Sequence, residues 1–287
     1  MKPSYGRVSR WGLLAYASSF DQIGPITTDV EDAALLYEVM AGKDEHDATS
    51  SSRAVEPSEF DQNKKYRIAY LKEPLESSGL EDSVLSNFKE VLSVLKENGH
   101  EVEEVSFPYL DYMVPCYYVL TTAEASSNLS RYSGMLFGHR SIKATDIDST
   151  FKKSRSEGFG EEVKRRIMTG TFVLSADYYE AYYTKAQEVR ALIKQESEKI
   201  LEQYNFVLSP TTPTTAFALG EKSGDPIQMY LADIFTVQAP LAGLPAISIP
   251  SGRNEKNMAI GTQIMSAAFE EKELFNFSKI LENYVKE

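Results

Sequence analysis

The clearest pattern in the chain is an amphipathic stripe over residues 84–95, where apolar residues recur three and four positions apart. Asn98 and Gly99 follow the stripe and are typical of a helix C-terminus. The runs 66–71 and 102–107, on either side of this helix, are short and β-like. A strand, a helix and a second strand in this order predict an α/β fold.

Similar patterns predict further helices and strands. The helices span residues 30–40, 109–131, 154–201 and 271–284. The strands span residues 206–208, 245–250 and 260–265. Thr28 and Glu31 form a capping box that starts the first of these helices. Gly158, Gly160 and Gly170 are interpreted as breaks within the long one.

Charge and cysteine content narrow the class of function. The net charge of the chain is -12, and such a chain is repelled by nucleic acid, because binding there depends on Lys and Arg. We therefore expect any RNA partner to be held mostly by another subunit. Cys116 is the single cysteine, which excludes an intramolecular disulfide and fits a reducing cytoplasm. No apolar run reaches the roughly 20 residues of a membrane span.

No residue pattern indicates a catalytic centre or a bound metal. The sequence has no Gly-x-Ser-x-Gly elbow, no Gly-x-x-x-x-Gly-Lys-Ser/Thr phosphate loop and no His-Glu-x-x-His zinc motif. His46, His100 and His139 lie far apart and have no cysteine at ligand spacing. We expect neither a metal nor another cofactor in this chain.

Blocks of residues along the chain resemble, in the same order, those of the amidase signature family. The blocks span residues 1–25, 124–132, 137–140, 154–160, 163–167, 209–214, 225–226, 229–233 and 242–246. The resemblance covers essentially the whole chain and is strongest to the glutaminase subunits of tRNA-dependent amidotransferases. Ser133 and Leu136 depart from the family pattern, which has an acidic residue at the first position and a basic or polar residue at the second. These departures bear on partner contacts more than on family membership.

The resemblance implies a mixed β-sheet flanked by helices, with residues 1–287 as the C-terminal portion of one large amidase domain. The family uses a serine nucleophile, a second serine in a cis peptide and a lysine base. The resemblance places all three ahead of Met1, since the run 1–25 is similar to the stretch that follows the family's nucleophile segment. We therefore expect no catalytic residue in this N-terminally truncated chain and no activity of the chain alone.

The resemblance also implies a pocket for glutamine, which carries an α-carboxylate and an α-ammonium group. It assigns Arg166 to the carboxylate, because a planar guanidinium can bind it through two hydrogen bonds. It assigns Asp233 to the ammonium group and makes Tyr117 a pocket tyrosine. The residues alone leave other interpretations open. Arg166 would be a solvated helix charge beside Lys164 and Arg165, Asp233 a cap of the next segment, and Tyr117 a core residue.

The implied activity is hydrolysis of glutamine to glutamate and ammonia. The ammonia passes to a partner, the B subunit, which uses ATP and Mg²⁺ to convert Glu-tRNA(Gln) to Gln-tRNA(Gln), and a small C subunit joins the complex. Use of Asp-tRNA is left open. Two alternatives remain: a stand-alone amidase for another small amide, and a non-catalytic fragment or split half that binds glutamine or partner subunits. Arg166 and Asp233 together argue against the stand-alone amidase, because a simple amide needs no pair of charges.

Overall fold

A computed structural model describes residues 1–77, 79–220, 229 and 231–285. The resemblance block at residues 225–226 lies outside the described residues, as does Tyr230. The chain divides into two compact units. The first comprises Met1–Trp11, Gln22–Val114 and Arg190–Glu287, and the second comprises Gly12–Asp21 and Pro115–Val189. The assignment of residues 1–287 to one large domain stays a prediction.

The first unit contains a five-stranded sheet in the described part of the chain, with strand order β2-β1-β3-β5-β4. The strands are β1 (Arg67–Leu71), β2 (Glu101–Val105), β3 (Phe206–Pro210), β4 (Ala246–Arg253) and β5 (Ala259–Ser266). β1 is parallel to β2 and β3, whereas β5 is antiparallel to β3 and β4. The sheet is therefore mixed, which confirms the expected α/β class.

Helices account for most of the remaining regular structure. They are α1 (Val30–Met40), α2 (Lys72–Glu76), α3 (Asp82–Glu97), α4 (Leu110–Asn128), α5 (Ile147–Gly158), α6 (Glu161–Val173), α7 (Lys185–Leu201), α8 (Gln238–Ala242) and α9 (Glu271–Val285). A 3₁₀ turn at Leu129–Arg131 follows α4, and a π-helical turn at Glu180–Thr184 precedes α7. No helix of the described residues is long and apolar enough to cross a membrane.

The core of the first unit joins α1, α3 and α9 to the sheet. The apolar stripe of α3 is buried there as the sequence predicts, and Phe88 and Leu95 are almost fully enclosed. Phe206 of β3 stacks on Phe277 of α9, with ring centroids 4.5 Å apart. Each such side chain stabilises the fold by about 1.5–3 kcal/mol relative to an exposed one.

Three local predictions were wrong. The capping residue of α1 is Asp29, whose side chain accepts a hydrogen bond from the amide of Asp32, and not Thr28. Gly170 lies inside α6 and does not break it. Pro250 lies within β4 and not at its end, which is possible because β4 is an edge strand with an irregular register between Pro250 and Gly252.

Candidate functional site

Arg166 lies on α6 in the second unit, one helical turn after Glu162. Glu161 and Glu162 occupy the first turn of α6, where the positive end of the helix dipole favours carboxylates. Arg166 Nε donates a hydrogen bond of 2.8 Å to Glu162 Oε1, a pairing that i,i+4 spacing on a helix permits. The helix itself thus supplies one acceptor that orients Arg166.

Two tyrosines complete the surroundings of the guanidinium group. Nη1 of Arg166 donates a hydrogen bond of 3.1 Å to Tyr16 Oη. Cζ of Arg166 lies 5.9 Å from the centroid of the Tyr16 ring and 5.4 Å from that of Tyr118, within the range of cation–π contacts. Arg166 is therefore held by both rings as well as by hydrogen bonds.

The neighbouring cations of α6 have a different environment. The Arg165 side chain is 52% exposed and the Arg166 side chain only 25% exposed. Lys164, which is 33% exposed, pairs with Glu161, and Arg165 pairs with the second oxygen of Glu162. The interpretation as a solvated helix charge thus describes Arg165 better than Arg166, which also contacts two tyrosine rings.

Arg166 stays positively charged, and some of its N–H donors contact no acceptor among the described residues. Burial disfavours the charged form, but hydrogen bonds with Tyr16 and Glu162 outweigh this effect and raise the pKa of Arg166 above its usual value. A guanidinium group has five N–H donors, and the Nη2 donors contact no acceptor among the residues that the structure describes. Arg166 can therefore bind an anion without losing its present partners.

Tyr117, on α4, belongs to the same aromatic cluster. Its half-buried ring packs edge-on against Phe20 and Tyr118, with ring centroids 5.5 Å and 5.4 Å apart. Because Tyr118 also faces the guanidinium group, Tyr117 and Arg166 share a neighbour in the second unit. The core-packing interpretation of Tyr117 is compatible with this position, and so is a pocket role.

Asp233 is an exposed residue of the first unit, in a turn that leads into α8. Its carbonyl oxygen accepts hydrogen bonds from the amides of Thr236 and Val237. The buried amide of Gln263, on β5, donates to the carbonyl of Phe235 in the same turn (2.8 Å) and to Ser209 Oγ of β3 (3.1 Å). The sheet therefore fixes the backbone that carries Asp233.

A model of the amidase family matches residues 1–275 of the chain. The chain belongs to the amidase family. The glutamyl-tRNA(Gln) amidotransferase A subunit of Campylobacter concisus is 48% identical over 288 residues, which cover 100% of this chain and 63% of that protein. The protein of the same name from Oceanobacillus iheyensis is 50% identical over 279 residues, covering 96% and 57%.

The fold of the chain also matches a solved structure. The crystal structure of the glutamyl-tRNA(Gln) amidotransferase A subunit from Thermotoga maritima aligns with a TM-score of 0.79 and 44% identity. The alignment covers 98% of this chain and 57% of that protein. The chain thus spans about three fifths of the length of the relatives that it matches.

The structure brings two of the three predicted site residues into one cluster. Arg166 and Tyr117 meet through Tyr118, whereas Asp233 lies in the other unit, and the three roles stay predictions. No sequence pattern was used to predict Tyr16 and Glu162 as partners of Arg166. The spacing of Glu162 and Arg166 on a helix could have indicated their pairing. No pattern connects Tyr16 to Arg166, because the two are 150 positions apart.

No group of three or more His, Cys, Asp and Glu side chains in the described part of the chain could hold a metal ion.

Proposed function

We propose that this chain is the glutamine-recognising part of the A subunit of a glutamyl-tRNA(Gln) amidotransferase. The observation that carries the proposal is Arg166, a half-buried, ring-flanked cation whose Nη2 donors contact no acceptor among the described residues. The relatives that match 100% and 96% of the chain, at 48% and 50% identity, carry this name, which supports the choice of glutamine over other carboxylates.

In this proposal the unused donors of Arg166 bind the α-carboxylate of glutamine. A guanidinium group suits this task because it can form two parallel hydrogen bonds to one carboxylate. Asp233 binds the α-ammonium group and Tyr117 lines the pocket. The two charges favour a free amino acid over amides that lack either group, because such an amide forms one charged hydrogen-bonded contact fewer.

The proposed reaction breaks the bond between carbon and nitrogen in the carboxamide group of glutamine. Water supplies the hydroxyl group of the new glutamate carboxyl and a proton for the nitrogen, so that ammonia leaves. The ammonia serves the B subunit, which with ATP and Mg²⁺ forms Gln-tRNA(Gln) from Glu-tRNA(Gln), and the C subunit joins the two. We place this complex in the cytoplasm. The net charge of -12 supports a division in which the B subunit holds the tRNA.

We also propose that residues 1–287 recognise glutamine without hydrolysing it. The test is to express the chain alone, and together with the part of the Campylobacter concisus relative that it does not span, and to measure ammonia release from glutamine. We expect release only when both parts are present. Turnover by the chain alone would contradict this statement.

A set of simple amides, assayed in the same way, separates glutaminase from general amidase activity. We expect the two-part protein to favour glutamine by about 100-fold or more in kcat/KM, since both charges of the amino acid are bound. Hydrolysis of simple amides as fast as that of glutamine, or faster, would contradict the proposal and indicate a stand-alone amidase. Absence of hydrolysis with retained glutamine binding would indicate a non-catalytic binding protein.

A further inference from the structure

The hydrogen bonds of Arg166 occupy one part of its guanidinium group and leave another part open. Nε donates to Glu162 Oε1, and one Nη1 donor points to Tyr16 Oη. The remaining donors are those of Nη2 and the second donor of Nη1. A carboxylate that binds through two hydrogen bonds would therefore bridge Nη1 and Nη2, since Nε is already engaged.

Tyr16 is itself fixed within the second unit. Its amide and that of Ala17 donate to the two carboxylate oxygens of Asp21, over 2.9 Å and 3.0 Å. The side-chain amide of Asn128, at the end of α4, donates to the Tyr16 carbonyl over 3.1 Å. The Tyr16 hydroxyl is thus attached to a closed turn that α4 holds in place, and it is not a freely moving acceptor.

We propose that Tyr16 and Glu162 are positioning residues that fix the Nη1–Nη2 edge of Arg166 as the carboxylate-binding edge. They thereby set the selectivity of the site for a free α-carboxylate. The inference rests on the proposed function in one respect, the identity of the carboxylate as that of glutamine. A freely rotating arginine would lose side-chain entropy on binding, and this pre-organised one loses less.

The first experiment needs no ligand. Nitrogen-15 NMR spectra of the 287-residue chain report whether the Nη groups of an arginine rotate freely. We expect separate, slowly exchanging Nη signals for Arg166 and averaged signals for Arg140, which is exposed. In Tyr16→Phe, which keeps the ring but removes the hydroxyl, the Arg166 signals should merge. Averaged signals for Arg166 in the unchanged chain would overturn the proposal.

The second experiment measures selectivity for the carboxylate. The dissociation constants of L-glutamine and L-glutaminamide, which carries an amide in place of the α-carboxylate, are compared by calorimetry. We expect Tyr16→Phe and Glu162→Gln each to lower the preference for glutamine by about 3- to 10-fold, because the first removes a hydrogen bond that orients Arg166 and the second removes the charge of the other acceptor. Arg140→Gln, at an exposed position of the same unit, is the control and should leave the preference within about 2-fold.

The outcomes distinguish this inference from the proposed function. If Arg166→Gln abolishes the preference while Tyr16→Phe and Glu162→Gln leave it unchanged, the proposed function stands and the positioning role is wrong. If Arg166→Gln also leaves the preference unchanged, or if the unchanged chain binds neither compound, both are wrong. Circular dichroism of every variant confirms that a lost preference does not result from unfolding.

Discussion

At the scale of single residues, a close approach of two backbones explains why α6 contains Gly170. A Cβ atom at this position would lie 1.9 Å from the carbonyl oxygen of Thr122 on α4, far inside contact distance. Glycine costs about 1 kcal/mol in a helix interior, which is why the sequence pattern indicated a break. The pattern cannot show that another helix lies against the residue, and that neighbour determines the choice of glycine.

Gly170→Ala is therefore expected to destabilise the protein, although alanine has the higher helix propensity. We expect a loss of about 1–3 kcal/mol in the free energy of unfolding, because α4 and α6 must move apart. Denaturant unfolding followed by circular dichroism measures this loss. Thr169→Ala, at the exposed neighbouring position, is the control and should change stability by less than about 0.5 kcal/mol. A stabilised Gly170→Ala variant would show that the contact is absent.

At the scale of elements, a buried histidine links the start of β2 to α9. The His100 ring is 5% exposed and packs against Tyr66, Phe277 and Tyr284, with ring centroids 6.2 Å, 5.7 Å and 6.1 Å away. Burial, and to a smaller extent the charge of Lys65, lower the pKa of His100 to about 4. This histidine packs as a neutral aromatic ring between the sheet and the helix.

The lowered pKa of His100 makes stability depend on pH. Between about pH 6.5, the usual pKa of histidine, and about pH 4, the unfolded chain binds a proton that the folded chain does not. This contribution is complete above pH 6.5 and is lost as the pH falls toward 4. We expect His100 to account for about 2 kcal/mol of the stability lost between about pH 7 and about pH 5.

Denaturant unfolding at about pH 7 and about pH 5 checks this expectation. His100→Gln should remove that part of the pH dependence. An identical pH dependence in His100→Gln and the unchanged chain would contradict the assignment.

The turn that carries Asp233 depends on a second element contact, the buried amide of Gln263. Gln263→Ala removes the hydrogen bonds to Ser209 and to the Phe235 carbonyl and leaves both partners buried. We expect a loss of about 1–3 kcal/mol in stability and weaker binding of glutamine. Calorimetry measures the binding, and Gln203→Ala, at an exposed position, is the control. Unchanged glutamine binding in a destabilised Gln263→Ala variant would show that Asp233 does not contribute to binding glutamine.

At the scale of the whole molecule, the sequence predicts helices and strands better than it predicts which of them pack or pair with one another. The stripe of α3 and the short runs of β1 and β3 follow from local periodicity, and all three lie where it indicates. The strand order requires pairings between distant segments, such as β1 with β3, which no local pattern contains. The same holds for the partners of Arg166. Its contact with Glu162 can be predicted from their spacing on one helix, whereas its contact with the distant Tyr16 cannot.

The central claim, that Arg166 binds the carboxylate of glutamine, is tested most directly by glutamine hydrolysis in the two-part protein. The measurement is kcat/KM for the unchanged chain, for Arg166→Gln and for Arg140→Gln, at an exposed position of the same unit. We predict a loss of about 100-fold or more for Arg166→Gln, since a charged hydrogen-bonded contact is removed, and less than about 3-fold for Arg140→Gln. Equal kcat/KM values for the two variants would contradict the account.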